Sequence, residues 1–356
     1  MKLRQTAWLT SGLVMVSILL AACSSSSSTS STSSTSSASS SASASSGGLK
    51  TGLKVFVIPK NLGNNYFTTA DSANSGGVIA ALNALGATGT ETSGTAATPA
   101  SQIPAIQGAI SKGASVLIVS ATDPTALCPT LNAAMRRGIT VVTYDSDAPG
   151  CRDLFVNQAS TAGIGTSEVD LLAAELHDTG EIAIVSAAAS ATNQNAWIGY
   201  MKQELAKYPN MKLVTTVYGN DDPTTSTQVT QGLLEQYPNL KGIISPTTVG
   251  IAAAAAVLDT AKYRGKVLLT GLGTPDSLKK YVADGTIKGF ELWNPANLGY
   301  LAGYAAVEFA SGKINGSQGQ TFSAGKLGTF TVGADKTILL GPPFVFNSSN
   351  INNFNF

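Results

Sequence analysis

The stretch TNQNAW, residues 192–197, places three consecutive amide side chains between a hydroxyl and an indole. Amides carry no charge and do no proton-transfer chemistry, but each offers two donors and an acceptor for hydrogen bonds. Thr192 is a common residue type at the start of a helix, and we expect it to cap one here. Because one cap suffices, Asn193 and Gln194 are predicted to bind the hydroxyl groups of an uncharged polar ligand.

Other polar side chains directly follow apolar runs, where strands are expected to end. Lys60 follows the first such run, and Asp145 and Asp147 follow ITVVTY. A carboxylate is a good double acceptor for two sugar hydroxyls, and a lysine facing it in a partly dry cleft is a charge-assisted donor. Two further groups occupy the same kind of position: Pro246, Thr247 and Thr248 after KGIIS, and Trp293 and Asn294 after IKGFEL.

Each of these residues also has an ordinary structural interpretation. Asp145 taken alone favours a turn cap, and a single lysine such as Lys60 is usually a solvated surface group. The aromatic residues near these positions are more often core than ligand platforms, although one or two could stack on the apolar C–H face of a sugar ring: Tyr66, Phe67, Trp197 and Trp293.

The sequence lacks the motifs of the common enzyme classes. His177 is the only histidine, so neither a histidine-based triad nor a multi-histidine zinc site can be built. A Walker A loop, a G-x-S-x-G elbow and an H-E-x-x-H motif are absent. Asp145 and Asp147 are a carboxylate pair, but alternate residues of one loop rarely flank a scissile glycosidic bond. We therefore expect a binding protein without catalytic residues, cofactor or metal.

The elements that position these residues alternate between strands and helices. Apolar runs predict strands at 53–59, 115–120, 139–144, 181–186, 212–219, 241–246, 266–272 and 287–293. Helical patterns lie between them, at about 67–85, 99–112, 162–177, 192–207, 226–237 and 249–261, and one more begins at Asp123-Pro124 with a kink or restart at Pro129.

This alternation predicts an α/β fold with two doubly wound parallel-sheet lobes, because the strand–helix rhythm begins again near residues 157–163. In such sheets ligands bind beyond the carboxyl ends of the strands. The polar clusters all stand at that kind of position and divide between the two lobes, which indicates a cleft that closes by hinge motion.

The first residues have the features of an export signal. Lys2 and Arg4 precede an apolar run, and the run ends in LAAC at Cys23, which resembles the lipobox of bacterial lipoproteins. The resemblance implies a signal peptide over 1–22 and a lipid on Cys23; the alternative is a plain secretory signal with a chance cysteine. Residues 23–48 are rich in Ser and Thr and predict a flexible tether.

Composition excludes several other classes. The 22 Lys and Arg nearly balance the 21 Asp and Glu, so no basic surface for nucleic acid is expected. Cys128 and Cys151 are an even pair once Cys23 is lipidated, and in an exported protein they predict a disulfide. The alternative for this pair is two buried free thiols.

From about Lys54 onward, the chain resembles the type I periplasmic binding proteins of sugar ABC importers, in particular their rhamnose-binding and autoinducer-2-binding groups. The motifs that carry the resemblance are VIPKNLGNNYF, SATDPTALCPTLNAAMRRGITVVTYDSD, TNQNAW and ELWNPANLGY. The resemblance implies two lobes joined by a three-crossing hinge. We expect 49–158 plus about 295–338 in the N-terminal lobe and 159–294 plus about 339–356 in the C-terminal lobe.

The same resemblance assigns binding residues. Autoinducer-2 receptors use a lysine, an aspartate, an Asp-Gln pair and a Pro-x-Ala stretch; this chain keeps all but two, with Asn193 in place of Asp and Thr248 in place of Ala. The residues expected to bind the ligand are Lys60, Asp145, Asn193, Gln194, Pro246 and Thr248. The additional candidates are Tyr66, Phe67, Asp147, Thr247, Trp293 and Asn294.

The second half of the chain favours the rhamnose-binding group, through SPTTVG, GLGTP and PPFVFNSSNI, whereas LCP, DSDAPGCR and NQAS in the first half look more like the autoinducer-2 group. A neutral amide at Asn193 and threonines at 247–248 suit a deoxyhexose better than a small, highly oxygenated furanose. The expected protein is a lipid-anchored, monomeric receptor at the outer face of the cytoplasmic membrane, which delivers a rhamnose-like monosaccharide to ABC permease subunits.

Two alternatives stay open on the same scaffold. One is a receptor for autoinducer-2, and the other is a sugar-sensing ectodomain that signals to a membrane kinase. A LacI-type repressor shares the fold, but the lipobox and the lack of an N-terminal pair of DNA-binding helices argue against it.

Overall fold

The computed structural model describes residues 48–356, and every structural statement below concerns this part of the chain. The predicted signal peptide 1–22, Cys23 and all but the last residue of the tether 23–48 lie outside the described residues. Among the described helices, none is both long enough and apolar enough to cross a bilayer.

The described chain alternates strands and helices along most of its length. The strands are β1 Lys54–Ile58, β2 Thr88–Glu91, β3 Val116–Val119, β4 Thr140–Tyr144, β5 Leu154–Asn157, β6 Thr179–Ser186, β7 Asn210–Tyr218, β8 Leu240–Ser245, β9 Leu268–Gly271, β10 Gly289–Leu292, β11 Thr321–Ser323, β12 Thr329–Thr331, β13 Thr337–Leu339 and β14 Phe344–Asn347. The α-helices are α1 Asn65–Asp71, α2 Val78–Ala84, α3 Pro99–Ser111, α4 Pro124–Met135, α5 Thr161–Leu176, α6 Thr192–Glu204, α7 Pro223–Gln236, α8 Thr248–Leu258, α9 Pro275–Ala283 and α10 Pro295–Ala310.

The first lobe is built on a parallel sheet with the strand order β13-β5-β4-β3-β1-β2. The central strand β3 reads VLIV and is buried along its whole length, as expected for a parallel strand covered by helices on both faces. Helix α10 packs against α1, α2 and β4 of this lobe although it comes late in the sequence.

The second lobe contains a parallel sheet with the order β7-β6-β8-β9. Strand β10 pairs antiparallel with β14, and a single bridge between Leu272 and Glu291 connects this pair to the end of β9. The chain passes between the two sheets after β5, between β10 and α10, and between β13 and β14. The predicted α/β fold with two parallel-sheet lobes is confirmed, while the residue bounds of the lobes stay predictions.

The local structure departs from expectation in several places. The predicted helix at 67–85 is two helices, α1 and α2, because the segment 72–77 turns between them. Gly77 ends this turn so close to Ala70 that a Cβ in its place would collide with the Ala70 carbonyl. Helix α4 continues through Pro129, so the helix does not restart there. Strands β2, β5 and β11 to β14 and helices α9 and α10 were not expected. Strand β2 reads TGTE, which lacks an apolar alternation, and it lies at the sheet edge.

A disulfide joins Cys128 of α4 to Cys151 in the segment between β4 and β5, with their Cα atoms 5.3 Å apart. Cys151 is fully buried in the core on that face of the first sheet. The bond therefore fixes α4 to the segment that also carries Asp145 and Asp147.

Buried glutamates lie between α5 and β10 in the second lobe. Glu291 accepts hydrogen bonds from the Ser167 hydroxyl at 2.7 and 2.8 Å, and burial raises the pKa of Glu291 to about 7. Glu168 is fully buried and its carboxyl oxygens have no hydrogen-bond partner among the described residues. Burial and the nearby charge of Glu291 raise the pKa of Glu168 well above its ordinary value. The fold therefore favours the protonated form of both groups.

We predict that the free energy of unfolding falls as the pH rises from about 5 to about 8. A folded-state pKa above the unfolded value gives stability at low pH that is lost as the pH rises through the folded pKa. For Glu291, the rise from 4.5 to about 7 corresponds to at most about 3 kcal/mol. Glu291→Gln is expected to flatten this dependence in urea unfolding.

The matched control is Glu235→Gln, which changes an exposed glutamate on α7. This variant is expected to keep the pH dependence of the wild type. Equal slopes for Glu291→Gln and the wild type would show that Glu291 does not titrate in this range.

Candidate functional site

Side chains from the carboxyl ends of both sheets line one cavity between the lobes. All six residues expected to bind the ligand are among its lining residues, as are four of the additional candidates. The lining residues are Lys60, Asn64, Tyr66, Phe67, Asp145, Asn193, Gln194, Trp197, Asp221, Pro246, Thr247, Thr248, Leu272, Leu292 and Trp293. We refer to this cavity as the inner pocket.

The lobes touch directly around the inner pocket. The Ser190 hydroxyl of the second lobe donates to the Thr122 carbonyl of the first at 3.3 Å, and the Thr192 hydroxyl donates to the Asp147 carbonyl at 3.0 Å. The space left inside is about 30 Å³, room for only about two water molecules. The structure therefore has the lobes drawn together around a small space.

Lys60 is the central charged group of the inner pocket. Its ammonium lies 3.6 Å from Asp145 Oδ2 and donates to Asn193 Oδ1 of the other lobe at 3.4 Å. The Ser120 hydroxyl donates to the same Asp145 oxygen at 2.7 Å. Lys60 is 4% and Asp145 5% exposed. The ion pair is thus removed from water, where its electrostatic interaction is stronger than at the surface.

Asp221 is a pocket residue that the sequence reasoning missed. It follows β7, is buried, and accepts a hydrogen bond from the Thr247 hydroxyl. Burial raises the pKa of the Asp221 carboxyl, the positive charge of Lys60 lowers it, and Asp145 raises it. One ammonium therefore faces carboxyl groups from both lobes. The sequence does contain a sign of this residue. GNDD follows the apolar run KLVTTVY at a strand end, just as the other polar clusters follow their apolar runs.

The role expected for Thr192 is wrong. Helix α6 begins at Thr192 with Ala191 in the cap position, and no side chain there accepts a capping hydrogen bond. The Thr192 hydroxyl instead connects the lobes, through the Asp147 carbonyl and a 3.2 Å contact with the Ser146 hydroxyl. Thr192 is a residue type suited to capping, but here it makes a contact between the lobes. The local sequence gives no sign of that contact.

Asn193 and Gln194 lie at the first turn of α6 and face the pocket. Asn193 Oδ1 accepts from the Gln194 backbone N–H at 2.9 Å as well as from Lys60. Gln194 is 4% exposed, and its Oε1 has no hydrogen-bond partner among the described residues. A buried carbonyl oxygen without a donor costs roughly 1–3 kcal/mol. A ligand hydroxyl in the inner pocket would remove that penalty.

Aromatic rings form one wall of the inner pocket. The indole N–H of Trp293 donates to the Tyr66 hydroxyl at 2.9 Å, and the rings of Trp197 and Trp293 lie 6.1 Å apart. Phe67 packs edge-on against Tyr66 at 5.1 Å. Burial, and next the negative charge of Asp145, raise the pKa of Tyr66, which therefore stays a neutral hydroxyl. The wall offers apolar faces together with one phenolic group.

Two of the additional candidates lie outside the inner pocket. Asp147 accepts from both Arg152 Nε and Nη2 at 2.9 Å and from the Thr143 hydroxyl at 2.6 Å. Asn294 caps α10 by accepting from the Asn297 backbone N–H at 3.1 Å. Asp145 and Asp147 thus have separate partners and do not form a catalytic carboxylate pair.

The pocket also contains residues that sequence reasoning did not single out. Asn64 caps α1 through the Tyr66 backbone N–H, and Leu272 and Leu292 end the apolar runs of β9 and β10. Apolar residues at strand ends look like ordinary core positions in a sequence. Within residues 48–356, the acidic, histidine and cysteine side chains form no group of three or more that could hold a metal ion.

Comparison with known proteins gives one matching family and several similar structures. The model of the periplasmic binding protein domain family matches residues 55–314. A sugar ABC transporter structure from Actinomyces odontolyticus is 42% identical over 87% of this chain and 100% of its own, with a TM-score of 0.68.

Two ligand-bound structures are also similar. An ABC transporter solute-binding protein from Clostridium phytofermentas with bound L-rhamnose is 36% identical, with a TM-score of 0.81, over 85% of this chain and 98% of its own. LsrB from Clostridium saccharobutylicum in complex with AI-2 is 26% identical, with a TM-score of 0.80, over 85% of this chain and 100% of its own.

We predict that Lys60→Met lowers the free energy of unfolding at about pH 8 by about 3 kcal/mol, because it leaves Asp145 and Asp221 buried without their cation. The loss is expected to be smaller at about pH 5, because burial raises the pKa of Asp221 and its carboxyl protonates more readily there. Urea unfolding at both pH values measures the effect, and adding Asp145→Asn is expected to restore part of the lost stability.

Lys212→Met is the matched control, since Lys212 is 74% exposed in its ion pair with Glu181. A loss of at most about 1 kcal/mol is expected there. If the two lysine variants lose the same stability, Lys60 does not hold the carboxyl groups together.

Proposed function

Because the chain belongs to the family of periplasmic binding proteins, the non-enzymatic substrate-binding components of ABC transporters, we propose that it is the receptor of a sugar importer with a rhamnose-like deoxyhexose as its favoured ligand. The observation that carries the proposal is the inner pocket. Uncharged amides, hydroxyls and one buried ion pair from two lobes surround a small space beside aromatic rings, which matches the polar edge and apolar face of a sugar.

The pocket residues have complementary roles in the proposed capture. The carboxyl oxygens of Asp145 and Asp221 accept from ligand hydroxyls, and Lys60 donates to one. Gln194 Oε1 accepts from another hydroxyl, because it has no donor within the described protein. The rings of Trp197, Trp293 and Phe67 pack on the C–H face, as in other carbohydrate sites where flat apolar surfaces contact a ring.

A deoxyhexose is favoured because the pocket wall includes the apolar side chains Leu272 and Leu292. A methyl group packs against such side chains with a gain of about 0.8 kcal/mol. A hydroxymethyl group in the same place would leave its hydroxyl without a partner, at a cost of roughly 1–3 kcal/mol. The bound L-rhamnose of the Clostridium phytofermentas protein supports the same choice.

Closure of the lobes is the proposed capture step. The lobes touch each other beside the inner pocket in this structure, so entry of a ligand requires an open form that then closes around it. Closing removes water and strengthens the interactions of Lys60, Asp145 and Asp221. The permease subunits are then proposed to recognise the closed form, with the receptor as a monomer.

Anchoring and lobe organisation belong to the same proposal. Cys23 is proposed to carry the lipid, with 23–48 as a tether that lets the lobes reach the permease at the outer face of the membrane. The N-terminal lobe is proposed to comprise 49–158 plus about 295–338, and the C-terminal lobe 159–294 plus about 339–356. The packing of α10 and the pairing of β13 with β5 support this division.

A receptor for autoinducer-2 is the second candidate function. The structure of LsrB with AI-2 and the positions of Lys60, Asp145, Gln194 and Pro246 favour it. Against it stand Asn193 and Thr248, which replace a carboxylate and a small apolar residue of that group.

We predict that L-rhamnose binds the mature protein with micromolar affinity, about −8 kcal/mol by calorimetry. At a hundred times its dissociation constant it should add about 2.7 kcal/mol of stability in a thermal-shift assay. Gln194→Ala is expected to weaken binding at least tenfold, and Gln203→Ala, an exposed position on the same helix, to leave it unchanged. A wild-type protein that binds no monosaccharide would contradict the proposal.

We predict further that Asn193→Asp shifts the preference toward autoinducer-2. The new carboxylate accepts two hydrogen bonds but loses the N–H donor that Asn193 directs at the Asp145 carbonyl, 3.5 Å away. Titration of both ligands against wild type and variant measures the ratio of their affinities. If the wild type already binds autoinducer-2 and ignores rhamnose, the second candidate function is the correct one.

A further inference from the structure

A second cavity, here called the outer compartment, adjoins the inner pocket. The two cavities share Asn64, Asp221 and Thr248 as lining residues. The outer compartment has a volume of about 840 Å³, against about 30 Å³ for the inner pocket by the same measure. A volume of this size falls within the roughly 300–1,000 Å³ of ordinary ligand clefts.

One wall of the outer compartment is a row of small side chains on α8. Thr248, Ala252 and Ala256 are spaced four residues apart, so they lie on one face of the helix and lead outward from the inner pocket. Larger side chains in this row would fill the space between the lobes. The row therefore keeps open a path that begins at a residue of the inner pocket.

The opposite wall is polar and comes from the first lobe. Asn61 and Asn65 present amides, and the segment 95–98 presents hydroxyls. Asn61 is only 7% exposed, and its Oδ1 has no hydrogen-bond partner among the described residues. A buried acceptor without a donor is costly in the absence of a ligand or water. The outer compartment thus places polar side chains of the first lobe and the alanine row of α8 around one space.

We propose that the outer compartment binds a second sugar unit, linked glycosidically to the ring held in the inner pocket. Its alanine row suits the C–H face of that unit, and the amides of the first lobe suit its hydroxyls. The receptor would then take disaccharides or other glycosides of its monosaccharide, and it would close over a longer ligand. This inference rests on the proposed function, because it requires a sugar in the inner pocket.

The test uses a panel of aldoses headed by L-rhamnose, each paired with its homodisaccharides of every linkage, titrated against the mature full-length protein by calorimetry. At least one disaccharide of a bound monosaccharide is expected to bind as tightly as the monosaccharide or more tightly. Ala252→Phe places a ring in the outer compartment, and it is expected to weaken disaccharide binding at least tenfold while changing monosaccharide affinity less than about threefold.

The matched control is Gln231→Phe, which adds the same ring at an exposed position on α7 outside both cavities. This variant is expected to bind both ligands as the wild type does. If a monosaccharide binds and none of its disaccharides does, the inference is overturned and the proposed function stands. Equal weakening of both ligands by Ala252→Phe would also overturn it, and a panel in which no sugar binds would overturn both proposals together.

Discussion

The whole cleft depends on the ammonium of Lys60, a buried charge at the end of the first strand. Its partners belong to different lobes: Asp145 at 3.6 Å in the first, and Asn193 at 3.4 Å in the second. Its charge also acts on Asp221, whose pKa it lowers against the effect of burial. Removing such groups from water costs several kcal/mol per ion, and only close, well-directed partners offset that cost. Closing the lobes is therefore favourable only when the polar groups of the pocket are well paired, and a ligand with hydroxyls can complete that pairing.

Much of the site could be predicted because parallel strands bring distant positions to one edge. Lys60, Asp145, Gln194 and Pro246 are far apart in the sequence, yet each follows a strand whose carboxyl end faces the cleft. The α/β alternation and the division into two lobes followed from the same strand–helix pattern. What could not be predicted is which of two neighbouring residues faces the pocket: Asp145 does, whereas Asp147 turns to Arg152.

The other failures have a common physical origin in contacts between the lobes. Thr192 has the side chain of a helix cap, but a carbonyl of the opposite lobe offers its hydroxyl a partner that local sequence does not contain. Asp221 looks like part of a polar turn, since it stands in a run of residues with positive φ. It is buried beside Thr247, in the pocket that Lys60 of the opposite lobe also lines. The local sequence pattern predicts the helices and strands. Which residues line the pocket depends on how the two sheets face each other.

The composition of the inner pocket also bears on selectivity among sugars. Its charged groups gather around Lys60, whereas Leu272 and Leu292 bring apolar side chains to the same small space. For the proposed sugar ligand, a methyl in place of a hydroxymethyl avoids an unpaired hydroxyl costing roughly 1–3 kcal/mol, because the carbon is buried in either case. This contribution corresponds to a preference of roughly fivefold to 150-fold for the deoxy sugar in the proposed receptor. Such a preference arises only if the closed lobes exclude water, because solvent would otherwise satisfy the extra hydroxyl. In the proposed receptor, selectivity and closure thus depend on the same tight fit between the two lobes.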